Sequence, residues 1–323
     1  MARVAVGRER NARKARSARP RPGVIWVAGG LLVLVGLAVA AWTLMRTGSA
    51  PQENGVISTL QTLDQHALLF SPTDPNVVFF GHHNGLMRSD DGGRTWKPLV
   101  DRRAFDAMQL ATGGRSNPGR VYLAGHDVFQ VSDDGGSSWR PVEHNLPGTD
   151  IHQFTLDPDN PDRLTAVVVG FGAFRSADAG RTWTKLPAQP PGDVTALASA
   201  GGEPEVLYVG TANSGLLRSV DSGTSWNAAS GQVGSDSGFR AVLALAVEGS
   251  DRQTVYAGTD SGLAKSTDGG AHWAALSYPG DNAVAVAVSP ANPRVVLAVA
   301  TSPRHQGLVY RSEDGGQSWG GRP

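Results

Sequence analysis

The sequence predicts an all-β fold, a six-bladed propeller behind an N-terminal transmembrane helix, and three observations lead there. The stretch Ser89-Asp90-Asp91-Gly92-Gly93-Arg94-Thr95-Trp96 returns at Ser132 to Trp139, Ser176 to Trp183, Ser219 to Trp226, Ser266 to Trp273 and Ser312 to Trp319. From one tryptophan to the next the steps are 43, 44, 43, 47 and 46 residues, the length of one four-stranded blade. Ahead of the first copy, Val24 to Leu44 is a run of 21 uncharged residues, long enough to cross a bilayer at about 1.5 Å per residue.

Taken in order, residues 1–22 form a basic arm: Arg3, Arg8, Arg10, Arg13, Lys14, Arg16, Arg19 and Arg21 stand against a single acid, Glu9. Such a segment has nothing with which to build a core and should be disordered. Residues 23–46 are the membrane anchor, with Trp26 and Trp42 near the two ends, where amphipathic rings favour the interface. The arm is then cytoplasmic under the positive-inside rule, which makes this a single-pass protein of the cell membrane with residues 55–323 outside the cytoplasm. The alternative is a cleaved signal peptide and a secreted protein, since Gly48-Ser49-Ala50 offers small residues at a cleavage site, but the apolar run exceeds the usual signal length. Residues 47–54 are a linker.

Composition fits this division. Without the arm and Arg46 there remain 20 Lys plus Arg against 28 Asp plus Glu, a net of −8, which argues against nucleic acid as a partner. There are no cysteines, so no disulfide supports the fold.

Within each repeat, alternation and turn signals order the strands. An inner strand A, such as His66 to Phe70 or His152 to Leu156, leads to a turn such as Asp74-Pro75-Asn76 or Asn160-Pro161-Asp162. Strand B follows, as in Val77 to Gly81 and Val121 to Gly125. Strand C ends in the acidic-glycine corner and strand D begins at its tryptophan. In the corner, the aspartate (Asp91, Asp134, Asp178, Asp221, Asp268, Asp314) accepts backbone N–H bonds. The glycine two residues on takes a positive φ, and the Ser or Thr adds a bond, with His272 replacing it in the fifth copy. A calcium loop would need further carboxylates and a distal Glu, which do not follow. The sixth copy stops almost at Trp319, whereas Gly55 to Leu63 sits where a strand D would; the N-terminal segment therefore completes the last blade and closes the ring.

On these corners the chain resembles the BNR or Asp-box repeat proteins, over about residues 55 to 319. That group includes sialidases, sortilin-type receptors, the photosystem II assembly factor and exported bacterial glycosylhydrolase-like proteins. The resemblance is specific for the fold and weakly specific for activity. Sialidase-type catalysis, as it implies, needs three arginines on a carboxylate, a tyrosine nucleophile with a glutamate, and an aspartic acid. Here Tyr122, Tyr208 and Tyr256 share one strand B position and read as packing residues. Arg88, Arg175, Arg218 and Arg311 share a position before the corner serine and read as surface residues. The F-R-I-P motif is absent.

Strand direction puts the start of A and the end of B on one face. There the A slot holds His66, Met108, His152, Thr195, Leu243 and Val284, and the B slot His82 with His83, His126, Phe171, Thr211, Thr259 and Thr301. His66, His82, His83, His126 and His152 thus gather at the mouth of blades 1 to 3, a candidate site for a transition metal such as copper or zinc. The same histidines could instead line a polar channel, bonded to water or to Asp64, Asp106, Asp127 and Asp150. Asp64, Asp106 and Asp150 are the candidate ligand-binding carboxylates, and pairs of such acids could serve glycoside hydrolysis. The expected function is a ligand- or partner-binding module for a small molecule, glycan or protein, with glycoside hydrolase as the alternative.

Overall fold

The computed structural model describes residues 55–320 apart from 63, 102–104, 114–116 and 230–238. The predicted arm, membrane span and linker lie outside them, and among the described residues no helix is long and apolar enough to cross a membrane. The described residues form 24 strands in six antiparallel four-stranded sheets. Blade 1 is β2 (Ala67–Phe70), β3 (Val78–His82), β4 (Gly85–Ser89) and β5 (Lys97–Asp101). Blade 2 is β6 (Gln109–Gly113), β7 (Asn117–Gly125), β8 (Val128–Ser132) and β9 (Arg140–Pro141). Blade 3 is β10 (Ile151–Leu156), β11 (Leu164–Val168), β12 (Gly172–Ser176) and β13 (Thr184–Lys185). Blade 4 is β14 (Val194–Gly201), β15 (Val206–Thr211), β16 (Leu216–Ser219) and β17 (Asn227–Ala228), and blade 5 is β18 (Val242–Val247), β19 (Val255–Thr259), β20 (Gly262–Ser266) and β21 (Ala274–Ala275). Blade 6 has β22 (Ala285–Val288), β23 (Val296–Thr301) and β24 (Gly307–Ser312), and its fourth strand is β1 (Val56–Leu60).

The inner strands β2, β6, β10, β14, β18 and β22 each lie against the next, and β22 lies against β2, so the ring closes. The clasp is β1 on β24, with Val56 opposite Tyr310 and Leu60 opposite Gly307. Leu60, Phe70, Phe80, Leu297, Val299 and Val309 bury together at this seam of blades 6 and 1. In blades 1 to 5 the outer strands start one residue after the corner tryptophan, and in blades 2 to 5 they are two residues long. Beyond them the chain turns across the rim.

The six corners share one bonding scheme. In the third, Asp178 Oδ1 accepts the N–H groups of Arg181 (3.1 Å) and Thr182 (2.8 Å) and the Ser176 hydroxyl (2.8 Å), and Oδ2 accepts the Thr182 hydroxyl (2.6 Å). Ser176 Oγ in turn accepts from Gly180 N at 3.0 Å, and Gly180 has φ +87°. In the fifth corner His272 Nδ1 takes the hydroxyl's place on Asp268 Oδ2, at 2.6 Å. These bonds hold the carboxylates of Asp91, Asp134, Asp178, Asp221 and Asp314 down to about 2.

The residue before the corner serine is not uniformly a surface position. Arg311 is only 4 % exposed, and its guanidinium donates to Gly92 O (3.2 Å) and Pro75 O (3.4 Å) of blade 1. Lys265 reaches Gly315 O at 3.0 Å, and Arg175 bonds the buried Glu205 and Ser222 O of blade 4. Such cations find uncapped carbonyls at the next blade's corner, which the sequence period alone does not reveal. The strand B tyrosines pack as expected and add the same kind of link: Tyr208 OH donates to Gly269 O (3.0 Å) and Tyr256 OH to Gly315 O (3.1 Å).

Candidate functional site

The inner strands enclose a central cavity of about 650 Å³, with Gln65, His66, Met108, Thr195, Leu243 and Val284 around one end. At this mouth the loops entering β2, β6 and β10 supply Asp64, Asp106 and Asp150, and the turns after β3 and β7 supply His83 and His126. Gly81 makes the approach of neighbouring blades possible. A Cβ on it would overlap the Ala107 carbonyl oxygen, and without one Ala107 N donates to His82 O at 3.2 Å. That contact sets the Asp106 loop of blade 2 against the end of blade 1.

The side chains form a strip in which carboxylate and imidazole alternate. In blade 1, Asp64 Oδ1 accepts the His83 N–H at 3.1 Å while Oδ2 contacts His83 Nδ1. His66 Nε2 lies 3.3 Å from His83 Nδ1 and 3.8 Å from Asp64 Oδ2. His83 Nε2 faces Asp106 Oδ2 at 3.8 Å, and the same oxygen contacts His126 Nδ1. The His83 and His126 rings stack, 5.7 Å apart and 7° from parallel. His126 Nε2 then meets His152 Nε2 at 2.8 Å, with Asp150 Oδ1 3.0 Å from His152 Nε2 and 3.5 Å from His126 Nε2. Among the described residues three groups of three donors result, Asp64/His66/His83, His83/Asp106/His126 and His126/Asp150/His152, each with ligand atoms within 4.8 Å of one another.

Burial divides the imidazoles. His66 is pushed down to about 4, chiefly by desolvation with Asp106 opposing, and His152 is lowered by burial too. His126 is raised, first by its bond to Asp106. Neutral His66 and His152 have lone pairs free for a hydrogen or a cation.

Seven of the eight predicted site residues therefore stand together: Asp64, Asp106, Asp150, His66, His83, His126 and His152. His82 does not join these groups. Its ring stacks on Phe80 (6.1 Å, 17°) and its Nδ1 accepts the Asn84 N–H at 3.3 Å, because it ends β3 while His83 stands in the turn and turns the other way. Asp127 bonds the Thr149 hydroxyl instead of an imidazole, and Asp193 holds Asn213 in a turn. His144, His272 and His305 lie elsewhere, as expected. Sequence reasoning placed Phe171 in the B slot without giving it a role. It is 45 % exposed at the hairpin from β11 to β12, and a Cβ on Gly148 would come within 3.0 Å of its ring, so it lies on the backbone two residues before Asp150.

A six-sector ring with a tight acidic corner at the foot of every sector defines a repeat propeller. A family model described as BNR/Asp-box repeat matches residues 87–98, the first of the six corners that close the six sheets of this propeller. A xyloglucanase from Paenibacillus sp is 25 % identical over 303 residues, covering 78 % of this chain and 26 % of that protein. Among solved structures, the GH74 xyloglucanase of Xanthomonas campestris superposes with a TM-score of 0.57 at 21 % identity, over 82 % of this chain and 46 % of that one. The calcium-binding protein regucalcin of Agrobacterium tumefaciens gives 0.59 at 15 % identity, over 83 % and 94 %. The chain spans about a quarter of the curated relative's length, and the structural likenesses are likenesses of fold.

Proposed function

We propose that this propeller recognises a glycan across the rim of blades 1 to 3, as a glycoside-hydrolase-like module. The observation that carries it is the exposed Phe171 ring, set against Gly148 two residues before Asp150, whose half-exposed carboxylate neighbours His126 and His152. A sugar has an apolar C–H face and a rim of hydroxyls; an aromatic platform takes the first and carboxylate or imidazole acceptors the second. Similarity to a xyloglucanase over most of the chain supports the same reading and makes xyloglucan oligosaccharides the first probe. The test is titration calorimetry of the full chain with a glycan panel, together with reducing-sugar release. Binding that falls about tenfold in Phe171→Ala, roughly 1.4 kcal/mol, supports recognition, and no binding across the panel overturns it. Hydrolysis lost in both Asp64→Asn and Asp150→Asn would extend recognition to turnover.

The proposal includes the setting inferred from the sequence. Residues 24–44 tether the chain to the cell membrane, leaving the mouth outside the cytoplasm, where polysaccharides are met. Protease treatment of intact cells should remove the propeller, and its full protection would refute that placement.

A further inference from the structure

We propose that the mouth is a paired metal site for two divalent transition ions of imidazole preference, Zn2+ or Cu2+. Asp64, His66 and His83 hold one ion; His126, Asp150 and His152 hold the other; Asp106 is the carboxylate between them, bonded to His126 and facing His83. The proposal goes beyond glycan recognition and does not depend on it.

The outer group has the dimensions of a coordination shell. With metal–ligand bonds of about 2.0–2.2 Å in tetrahedral geometry, ligand atoms stand roughly 3.3–3.5 Å apart. Its three separations are 2.8, 3.0 and 3.5 Å. Asp150 Oδ1 is sealed from solvent and accepts a hydrogen bond from neither imidazole, although both nitrogens stand at ion-pair distance. Two ring nitrogens and a carboxylate oxygen this close together share a single proton poorly. One cation satisfies all three. Asp64, His66 and His83 repeat the pattern at blade 1, with 3.3 and 3.8 Å separations and a third, closer contact.

The middle group differs in kind. The His83 and His126 rings lie in parallel planes, so their in-plane lone pairs run side by side and do not converge. Between them, Asp106 has a side chain only 7 % exposed; its Oδ2 faces His126 Nδ1 and His83 Nε2, and its Oδ1 is sealed with no partner. A carboxylate that accepts a ring N–H fixes the tautomer and raises the basicity of the opposite nitrogen. His126 is thereby left with Nε2 toward Asp150 and His152, while His83 has Nδ1 toward Asp64 and His66 and keeps Nε2 at 3.8 Å from Asp106. The sequence carries the same division. Blades 1 and 3 enter strand A as Asp64-Gln65-His66 and Asp150-Ile151-His152, and blade 2 as Asp106-Ala107-Met108, with no third imidazole. The donors are nitrogen and oxygen, and there is no cysteine, which selects imidazole-seeking ions over magnesium, calcium and thiolate-bound metals.

The test uses the purified full-length chain, stripped with chelator and titrated separately with ZnCl2 and CuCl2 in the absence of glycan, so that its outcome is independent of sugar binding. The expected stoichiometry is two, falling to one in His66→Ala and to one in His152→Ala, with unchanged thermal melts in the apo forms. Asp106→Asn should keep two ions and bind both about 10- to 100-fold more weakly. Wild-type stoichiometry of zero or one, or excess Mg2+ displacing Zn2+, overturns the proposal. Should the variants fail to fold, electron paramagnetic resonance of the Cu2+-loaded wild type decides. Nitrogen hyperfine structure with dipolar broadening that vanishes at half loading supports the pair, and a spectrum of isolated copper refutes it.

Discussion

Replacing Arg311 by Met should weaken the whole ring, whereas the same change at Arg88 should not. The two residues occupy the same place in their repeats, one before the corner serine. Arg88 is half-exposed and pairs with Asp90 of its own corner at 2.7 Å, an interaction worth about 0–1 kcal/mol. Arg311 is buried at the junction of the last blade with the first, and its guanidinium serves the Gly92 and Pro75 carbonyls. Methionine preserves much of the stem packing, so the change isolates the hydrogen bonds. Hydrogen bonds from a charged donor contribute about 1.5–3 kcal/mol, and both contacts are long, so roughly 2–3 kcal/mol is expected for the pair. For a domain of this size that lowers the midpoint by about 4–6 °C. Thermal unfolding followed by tryptophan fluorescence measures it, with Arg88→Met as the control. Equal midpoints for the two variants would show that the Arg311 link does not hold the seam.

Other expectations follow from the same contacts. The corner carboxylates titrate below their ordinary value, so the folded state binds fewer protons than the unfolded one; stability is present above about pH 4 and drains as pH falls toward about 2, visible as falling melting temperatures across that window. Asp178→Asn should flatten part of that slope, and an unchanged slope would refute the assignment. Tyr256→Phe should cost about 1 kcal/mol, because Lys265 still serves the Gly315 carbonyl, while the double variant with Lys265→Met should cost more than the two singles added. Gly81→Ala should cost about 1–3 kcal/mol by forcing apart β3 and the Ala107 backbone, and should also lower Zn2+ affinity by displacing Asp106 from His83; chemical denaturation and metal titration of one sample read both.

The blade number, the strand order and the completion of the last blade by Gly55 to Leu63 were all legible, because a turn that needs Asp, Gly and Trp at fixed offsets repeats its sequence along with its shape. Gathering of the mouth histidines followed from strand direction alone. What the sequence could not separate was His82 from His83, since adjacent residues at a strand end diverge only once the hairpin is set. The division of labour between Nδ1 and Nε2 was equally hidden, for it depends on which imidazole Asp106 touches. Arg311 was misplaced at the surface because a repeat position looks alike in every blade, while its burial comes from a neighbour 219 residues away, Gly92. Phe171 held a slot otherwise filled by His and Thr, which was the one available sign of a different role.

The pairing of β1 with β24 also bears on how the molecule is born. Val56–Leu60 leaves the ribosome before the other strands and must wait for Gly307–Ser312, so each earlier sector can condense on its predecessor while the circle stays open. Until that segment emerges, β1 presents bare backbone to any passing strand. Assembly in the wrong order would link one nascent chain to another, and the distance between those two segments makes the emergence of Gly307–Ser312 the moment at which the circle locks.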